Sequence, residues 1–555
     1  MFARLLAGAL TATTLAGSAL AADFAAQPVA EPSAPSSTWS WTGAYLGAHL
    51  GSGLVSSRLD NPVGALLGTG SLYGDALRAP AGLAGIQGGF NWQMPNTNWV
   101  LGVEGELALL VAHGTNTCMT SDALLVSANC ELHSHIAASL AGRAGFLIDP
   151  DQRALVYGKA GIALIDVQST ATLNYSDATA VASNSVGSTR TATGLLLGLG
   201  VEYALTSAIS LKLEYDHYGL GSFKVPTNYT SFGQPILATS RPSFDAVKVG
   251  VNYHFGANDA AWTNATSPNA SASSVLEFEI GSRYWYSAGR FQKDLGSGVA
   301  NSSSLFSRLT FDDQQNSGEI FGKVESEQNV FLRGTISMGR MSTSKLHDED
   351  WLGTAEGPLI PYSNTLSAGN GNSIYAIADV GYDLIRQNGN RLGLFAGYSY
   401  IYERHNALGC IQLTSLPDIC GPGQVASGTL GISETDRWNA LRLGVSGDIM
   451  LTDRLKLSAD AAYLPVVGFS GTDNHWLRNL VIQERGHGYG TQLEAVLSYA
   501  VTDDFSIGAG ARYWALWTDY GSVAFNGASS PQNLSYKMER SGVFLQGSYK
   551  FGVGG

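Results

Sequence analysis

Apolar and polar positions alternate along most of this chain. Ile209, Leu211, Leu213 and Tyr215 are apolar, while Ser210, Lys212, Glu214 and Asp216 between them are polar. The same pattern recurs over Val247–Phe255, Leu441–Ile449 and Leu455–Ala461. Side chains alternate faces along a strand, so such runs predict β-strands with one apolar and one polar face. The odd positions of the first run are expected to face lipid, and Lys212, Glu214 and Asp216 an interior. Charges inside a narrow barrel need partners, so these predict a structural charge network.

About eight such segments lie between Trp39 and Phe255, joined by alternating short and long connections. Short turns fall at 94–97, 149–152 and 205–207, and long loops near 56–80, 115–132, 170–188 and 223–243. Residues 256–274, rich in Ala, Asn, Ser and Thr, read as a linker. About ten more strands follow within 275–555, with short turns at 325–328, 387–390, 452–454 and 502–504. Short turns on one side and longer loops on the other are the pattern of an outer-membrane barrel. The expected fold is therefore all-β, two antiparallel up-and-down transmembrane barrels in tandem, 39–255 and 275–555. Even strand counts bring both ends of each barrel to the periplasmic side, where a short linker can join them. A single fused barrel of about eighteen strands is the competing arrangement. Trp514, Trp517, Tyr398, Tyr400 and Tyr402 are expected at the bilayer edges.

Composition supports the membrane reading. Charged residues make up 14% of the chain, against roughly 25% in soluble proteins. Gly, Tyr and Trp number 67, 24 and 11, and mean hydropathy is +0.03. No window holds the roughly 20 apolar residues of a membrane helix. Residues 1–21 read as a secretory signal ending in Ala19, Leu20 and Ala21, followed by a Pro/Ala/Ser-rich linker at 22–38. The net charge of −13 argues against nucleic-acid binding. An exported chain permits disulfides, and proximity pairs Cys118 with Cys130 and Cys410 with Cys420.

Two polar clusters carry the candidate chemistry. One holds His347, Asp348, Glu349, Asp350 and Trp351; the other holds Asp473, Asn474, His475 and Trp476. Both are expected in loops at the same barrel mouth. A histidine is a natural base for activating water, and a neighbouring carboxylate fixes its tautomer and stabilises the cation that forms. Asp348 and Asp350 could hold the water opposite it. The ligand spacing matches no zinc pattern.

The first segment resembles the eight-stranded, porin-like surface antigens of alphaproteobacteria, through Trp39, Trp41, Gly43, Tyr45 and Gly47 at its start and Val247–Phe255 at its end. The second is similar to the omptins, ten-stranded outer-membrane proteases. Asp348-Glu349-Asp350-Trp351 matches that family's Asp-x-Asp-Trp, Asp473-Asn474-His475 its Asp-x-His, and Asn390–Tyr398 a mid-barrel strand. The resemblance implies a surface endopeptidase in which Asp348 and Asp350 help hold water and Asp473 orients His475. It implies a peptide or protein substrate and contact with membrane lipid and lipopolysaccharide, without another cofactor. Gly471 and Gly289 stand where omptins selective for basic residues carry acids, which leaves that preference open; Glu349 and Glu484 are possible substitutes. A non-catalytic surface-antigen or adhesion-type barrel is the alternative.

Overall fold

The computed structural model describes residues 39–553, apart from 61–75, 122–125, 150–151, 175–184, 232–233, 256–275, 297–304, 351–362, 388, 414–419, 421–424, 526–527 and 531–533. The expected signal segment, both linkers and Trp351 lie outside the described residues.

Two closed antiparallel sheets account for the fold. The first contains β1 (Gly43–Leu59), β2 (Ala76–Gln93), β3 (Trp99–Ser121), β4 (Val126–Leu147), β5 (Ala154–Asn174), β6 (Ser185–Ala204), β7 (Ile209–Leu220), β8 (Phe223–Ser231) and β9 (Gln234–His254). Pairing of β1 with β9, from Tyr45 opposite His254 to Leu59 opposite Ser240, closes the ring. β7 and β8 pair in turn along β9, so they form one interrupted line and the ring has eight strand positions.

The second sheet contains β10 (Leu276–Gly296), β11 (Leu305–Glu325), β12 (Val330–Asp350), β13 (Ser363–Gln387), β14 (Asn390–Gln412), β15 (Leu430–Met450), β16 (Leu455–His475), β17 (Leu480–Ala500), β18 (Phe505–Phe525), β19 (Ala528–Ser530) and β20 (Leu534–Val553). β10 pairs with β20 and closes a ten-stranded ring, with short β19 attached to β18. Closure joins the first strand of each sheet to the last, the arrangement a sheet needs in lipid. Two rings, rather than one of eighteen strands, are thus formed.

The first ring is filled. Lys212, Glu214 and Asp216 are fully buried, as alternation predicts. Arg143 reaches Glu202 at 2.7 Å, Lys159 reaches Glu214 at 2.8 Å, and Lys248 reaches Glu106 at 2.6 Å. The second ring is layered. Near its short turns a cavity of about 150 Å³ is lined by Arg283, Arg333, Asp379, Asp460 and Glu494, among others. An aromatic layer above it includes Trp285, Tyr375 and Trp514, with Trp285 and Trp514 ring centroids 5.0 Å apart. Trp514 is therefore a lumen residue, contrary to its expected place at the bilayer edge: its strand parity matches Arg512, not outward Ile507.

Outward apolar residues gather toward the short-turn end: Leu332, Ile336 and Met338 on β12, Tyr463 and Val466 on β16. A membrane strand needs about 9–11 residues, whereas β12 and β16 each have 21. Their long-loop ends therefore stand above the bilayer.

Trp39–Gly555 forms one compact unit, and part of each ring's outer wall meets the other ring. Leu211, Val249 and Tyr203 pack with Leu392, Ile449 and Ala461. Leu211 thus faces outward as expected but meets protein, not lipid. Higher up the seam is polar: Arg308 donates to Asn129 at 2.8 Å and to Asp294 at 2.7 Å, and Thr117 donates to Glu349 at 3.1 Å. Both disulfides form, Cys118–Cys130 and Cys410–Cys420.

Replacing Arg143 with Met leaves Glu104 and Glu202 short of their buried partner. The expected cost is about 3 kcal/mol, measured by urea unfolding of the refolded protein.

Candidate active site

The ionisable residues of both clusters lie within strands, not loops: β12 runs through Asp350 and β16 through His475, with Trp476 in the turn that follows. Each strand carries one extra residue. In β12 the register with β13 shifts between Met341 and Ser344, and in β16 the register with β17 shifts between Leu464 and Val467. A β-bulge of this kind re-aims every side chain beyond it.

The consequence decides the site. Met338 is even-numbered and faces outward, 71% exposed, yet Leu346 beyond the bulge is even-numbered and buried in the lumen. Asp348 and Asp350 share its face. On β16, odd-numbered Tyr463 points outward, whereas Phe469 and Asp473 are buried inside. Without the bulges, strict alternation would turn both clusters toward the outer wall. Pro465 sits at the second bulge; having no N–H to give a ladder, it is the sequence signal that could have marked it.

The Nε2 of His475 lies 3.1 Å from Asp473 Oδ2. In the ring β12 and β16 are separated by β13, β14 and β15, so the clusters face one another across the mouth. The Asp473 carboxylate is near enough for its charge to raise Asp348. Ser363 donates to Asp350 at 3.4 Å. The four candidate residues therefore share one mouth.

A fifth group was not foreseen. Lys293, on β10, places its ammonium 2.5 Å from Asp473 Oδ2, 2.8 Å from Glu484 and 3.0 Å from Glu434. It thus uses the same Asp473 oxygen as His475. Lys293 lies on the parity of Arg283, Trp285 and Phe291, which marks it as inward. Which strands would bring acids to meet it is a matter of register.

The two glycine positions also resolve. A Cβ on Gly471 would lie 2.7 Å from Glu484 Oε2 and 2.9 Å from Phe469, so Glu484 occupies the space beside Gly471. A Cβ on Gly289 would lie 2.7 Å from Asp313 and 2.5 Å from Arg540. Glu349 points into the seam, where it accepts from Thr117.

The model of the outer membrane protein beta-barrel domain matches residues 9–255. The 31 kDa outer-membrane immunogenic protein of Brucella melitensis is 31% identical over 173 residues, 31% of this chain and 66% of that protein. Its Brucella suis counterpart gives the same figures, so the chain spans just under two thirds of these relatives. The protein is an outer-membrane β-barrel protein. Among solved structures, the outer membrane protease OmpT from Escherichia coli is 14% identical, covering 50% of this chain and 97% of its own, with a TM-score of 0.42. Ail of Yersinia pestis is 14% identical, covering 39% and 99%, with a TM-score of 0.19. The family model and the Brucella relatives agree with the outer-membrane barrel expected of the first segment.

In an outer-membrane setting the long-loop mouth lies beyond the apolar belt, seven residues above Val466 at Asp473 and ten above Met338 at Asp348. Burial raises Asp348 well above the ordinary carboxylate range, and the neighbouring Asp350 and Asp473 charges raise it further. Burial also raises Asp350. Asp473 moves the other way: burial opposes its charge, but Lys293 and the hydrogen bond to His475 prevail and lower it to about 2. The pair across from the dyad can thus retain a proton while the dyad carboxylate stays ionised.

Opposite pH dependences follow. Asp473 contributes stability above its unfolded value of roughly 4, and the contribution fades as pH falls toward about 2. Asp473→Asn should cost about 2 kcal/mol at pH 7 and progressively less below pH ~4. Asp348, raised on folding, loses stability as pH rises past ~4, so Asp348→Asn should gain on wild type with rising pH. Urea unfolding across pH measures both.

Proposed function

We propose that the second ring is a surface endopeptidase in which Asp473 and His475 activate a water and Asp348 and Asp350 hold it from the opposite wall. The observation that carries this reading is the 3.1 Å contact between His475 Nε2 and Asp473 Oδ2. It leaves Nδ1 as the nitrogen for the water. The water oxygen adds to the peptide carbonyl carbon while its proton passes to Nδ1. Asp473 stabilises the imidazolium. The C–N bond then breaks as His475 returns the proton to the amine nitrogen, leaving a carboxylic acid and an amine. The substrate is a peptide or protein chain entering from outside, the first ring anchors the unit, and lipopolysaccharide contacts the outer rim.

One observation favours a second reading. Lys293 binds the very oxygen of Asp473 that holds His475, which weakens the carboxylate's grip on the imidazole. A non-catalytic surface antigen with a retained constellation fits that feature, and the Brucella relative is named as an immunogenic protein.

The test is hydrolysis of a mixed peptide library by the protein refolded with lipopolysaccharide. His475→Ala and Asp473→Ala should each lower the rate by about 10²–10⁴-fold, the usual worth of acid–base assistance. Equal turnover by wild type and both variants, or none by any, leaves the surface-antigen reading.

A further inference from the structure

Away from that mouth, another set of ligating side chains converges on the outer wall of the first ring. His113 on β3 and His133 on β4 are direct cross-strand partners. Their rings stack with centroids 4.3 Å apart and planes within 13°. Glu131, two residues before His133, shares its face, with Oε2 3.6 Å from His133 Nε2. One ligand atom from each of the three lies within 4.8 Å of the other two.

The surroundings resemble those of a prepared site. Asn129 donates from Nδ2 to Glu131 Oε1 at 3.2 Å and accepts from Arg308 at 2.8 Å. The carboxylate is thus oriented by a chain of hydrogen bonds that begins on the second ring. Outer-sphere partners of this type set the aim of metal ligands. The Cys118–Cys130 bond staples the same hairpin just above. The side chains of His133 and Glu131 are 30% and 28% exposed, so solvent ions reach them.

We propose that His113, His133 and Glu131 form a binding site for a borderline transition-metal cation of the Zn²⁺ type. Two imidazoles and one carboxylate suit Zn²⁺, Cu²⁺ or Ni²⁺, whereas Ca²⁺ and Mg²⁺ prefer oxygen ligands alone. Bonds of about 2.0–2.2 Å require the stacked rings to turn toward Glu131, a side-chain rotation that leaves the ladder intact. Three protein ligands leave one position for water or an incoming donor. Bound there, the ion clips β3 to β4 where the hairpin meets the second ring.

Lys537 opposes the ion. Its Nζ has no hydrogen-bond partner among the described residues, and its charge acts on His113 across the seam. The two all-carboxylate groups among the described residues are taken: Glu434, Asp473 and Glu484 surround Lys293, and Glu104, Glu106 and Glu214 surround Lys159 and Lys212.

The test uses the full chain, refolded, stripped with EDTA and titrated with ZnCl₂ by calorimetry, with Co²⁺ absorption as a second readout. One ion per chain is expected. His113→Gln and His133→Gln, which keep side-chain bulk, should each weaken binding at least tenfold. Asn129→Ala should weaken it by about 10-fold through misdirected Glu131, and Lys537→Met should tighten it. On the unmutated chain, the Co²⁺ spectrum should show bands of nitrogen-ligated ion, independent of any variant's folding. No binding by wild type at millimolar ZnCl₂ overturns the proposal. So does affinity unchanged in both histidine variants, or affinity lost only in Glu434→Gln, which would place the ion on the carboxylates around Lys293. None of these outcomes depends on peptide hydrolysis.

Discussion

A backbone immersed in lipid must find partners for its own N–H and C=O groups, and closing each sheet on itself supplies them. The rest of this structure depends on that constraint. Closure through β1–β9 and through β10–β20 turns alternation into inside and outside. A ring of eight strands leaves an interior just wide enough for side chains, and in the first ring these are charged. They persist because each acid meets a cation, as Glu202 meets Arg143. A buried charge without a partner is strongly unfavourable.

The second ring adds length. Strands of 21 residues carry the ladder well past the apolar belt, and the extra turns of sheet build a mouth in water. There the bulges in β12 and β16 invert the alternation that holds lower down. Outside the bilayer such an inversion places no polar group in lipid, so it is tolerated. It converts two outward clusters into two inward ones. The same mouth collects a surplus of carboxylates, and Lys293 answers part of it by touching three. One lysine therefore both sustains the ionised Asp473 and competes for it.

The seam links the rings in a manner that follows the bilayer. At the short-turn end it is built of Leu, Val, Ile and Ala side chains. Toward the outside it becomes polar, with Arg308 joining Asp294 to Asn129. Glu349 lies between Asp348 and Asp350 in sequence but on the opposite face, against Thr117. The first ring thus braces the strand that carries the aspartate pair.

Much of this was legible in the chain. Period-2 alternation is local, so it revealed the strands and the lumen charges at Lys212, Glu214 and Asp216, while the polar linker and the lengths of the connections revealed the two-ring division and the long-loop side. The spacing of Asp348 with Asp350, and of Asp473 with His475, puts each pair on one face wherever the segment is a regular strand. Facing direction was a different matter. One inserted residue reverses it, and apart from Pro465 the chain does not announce where the insertion lies. Lys293, Glu434 and Glu484 come from β10, β15 and β17, and their meeting depends on inter-strand register and ring closure. The same holds for His113 and His133, twenty residues apart, which become neighbours only through hairpin pairing. Sequence alone determined which residues share a strand face, because that follows from backbone geometry over two residues. Tertiary structure decided which faces look at one another, because register is settled by turns, bulges and the requirement that the last strand hydrogen-bond to the first.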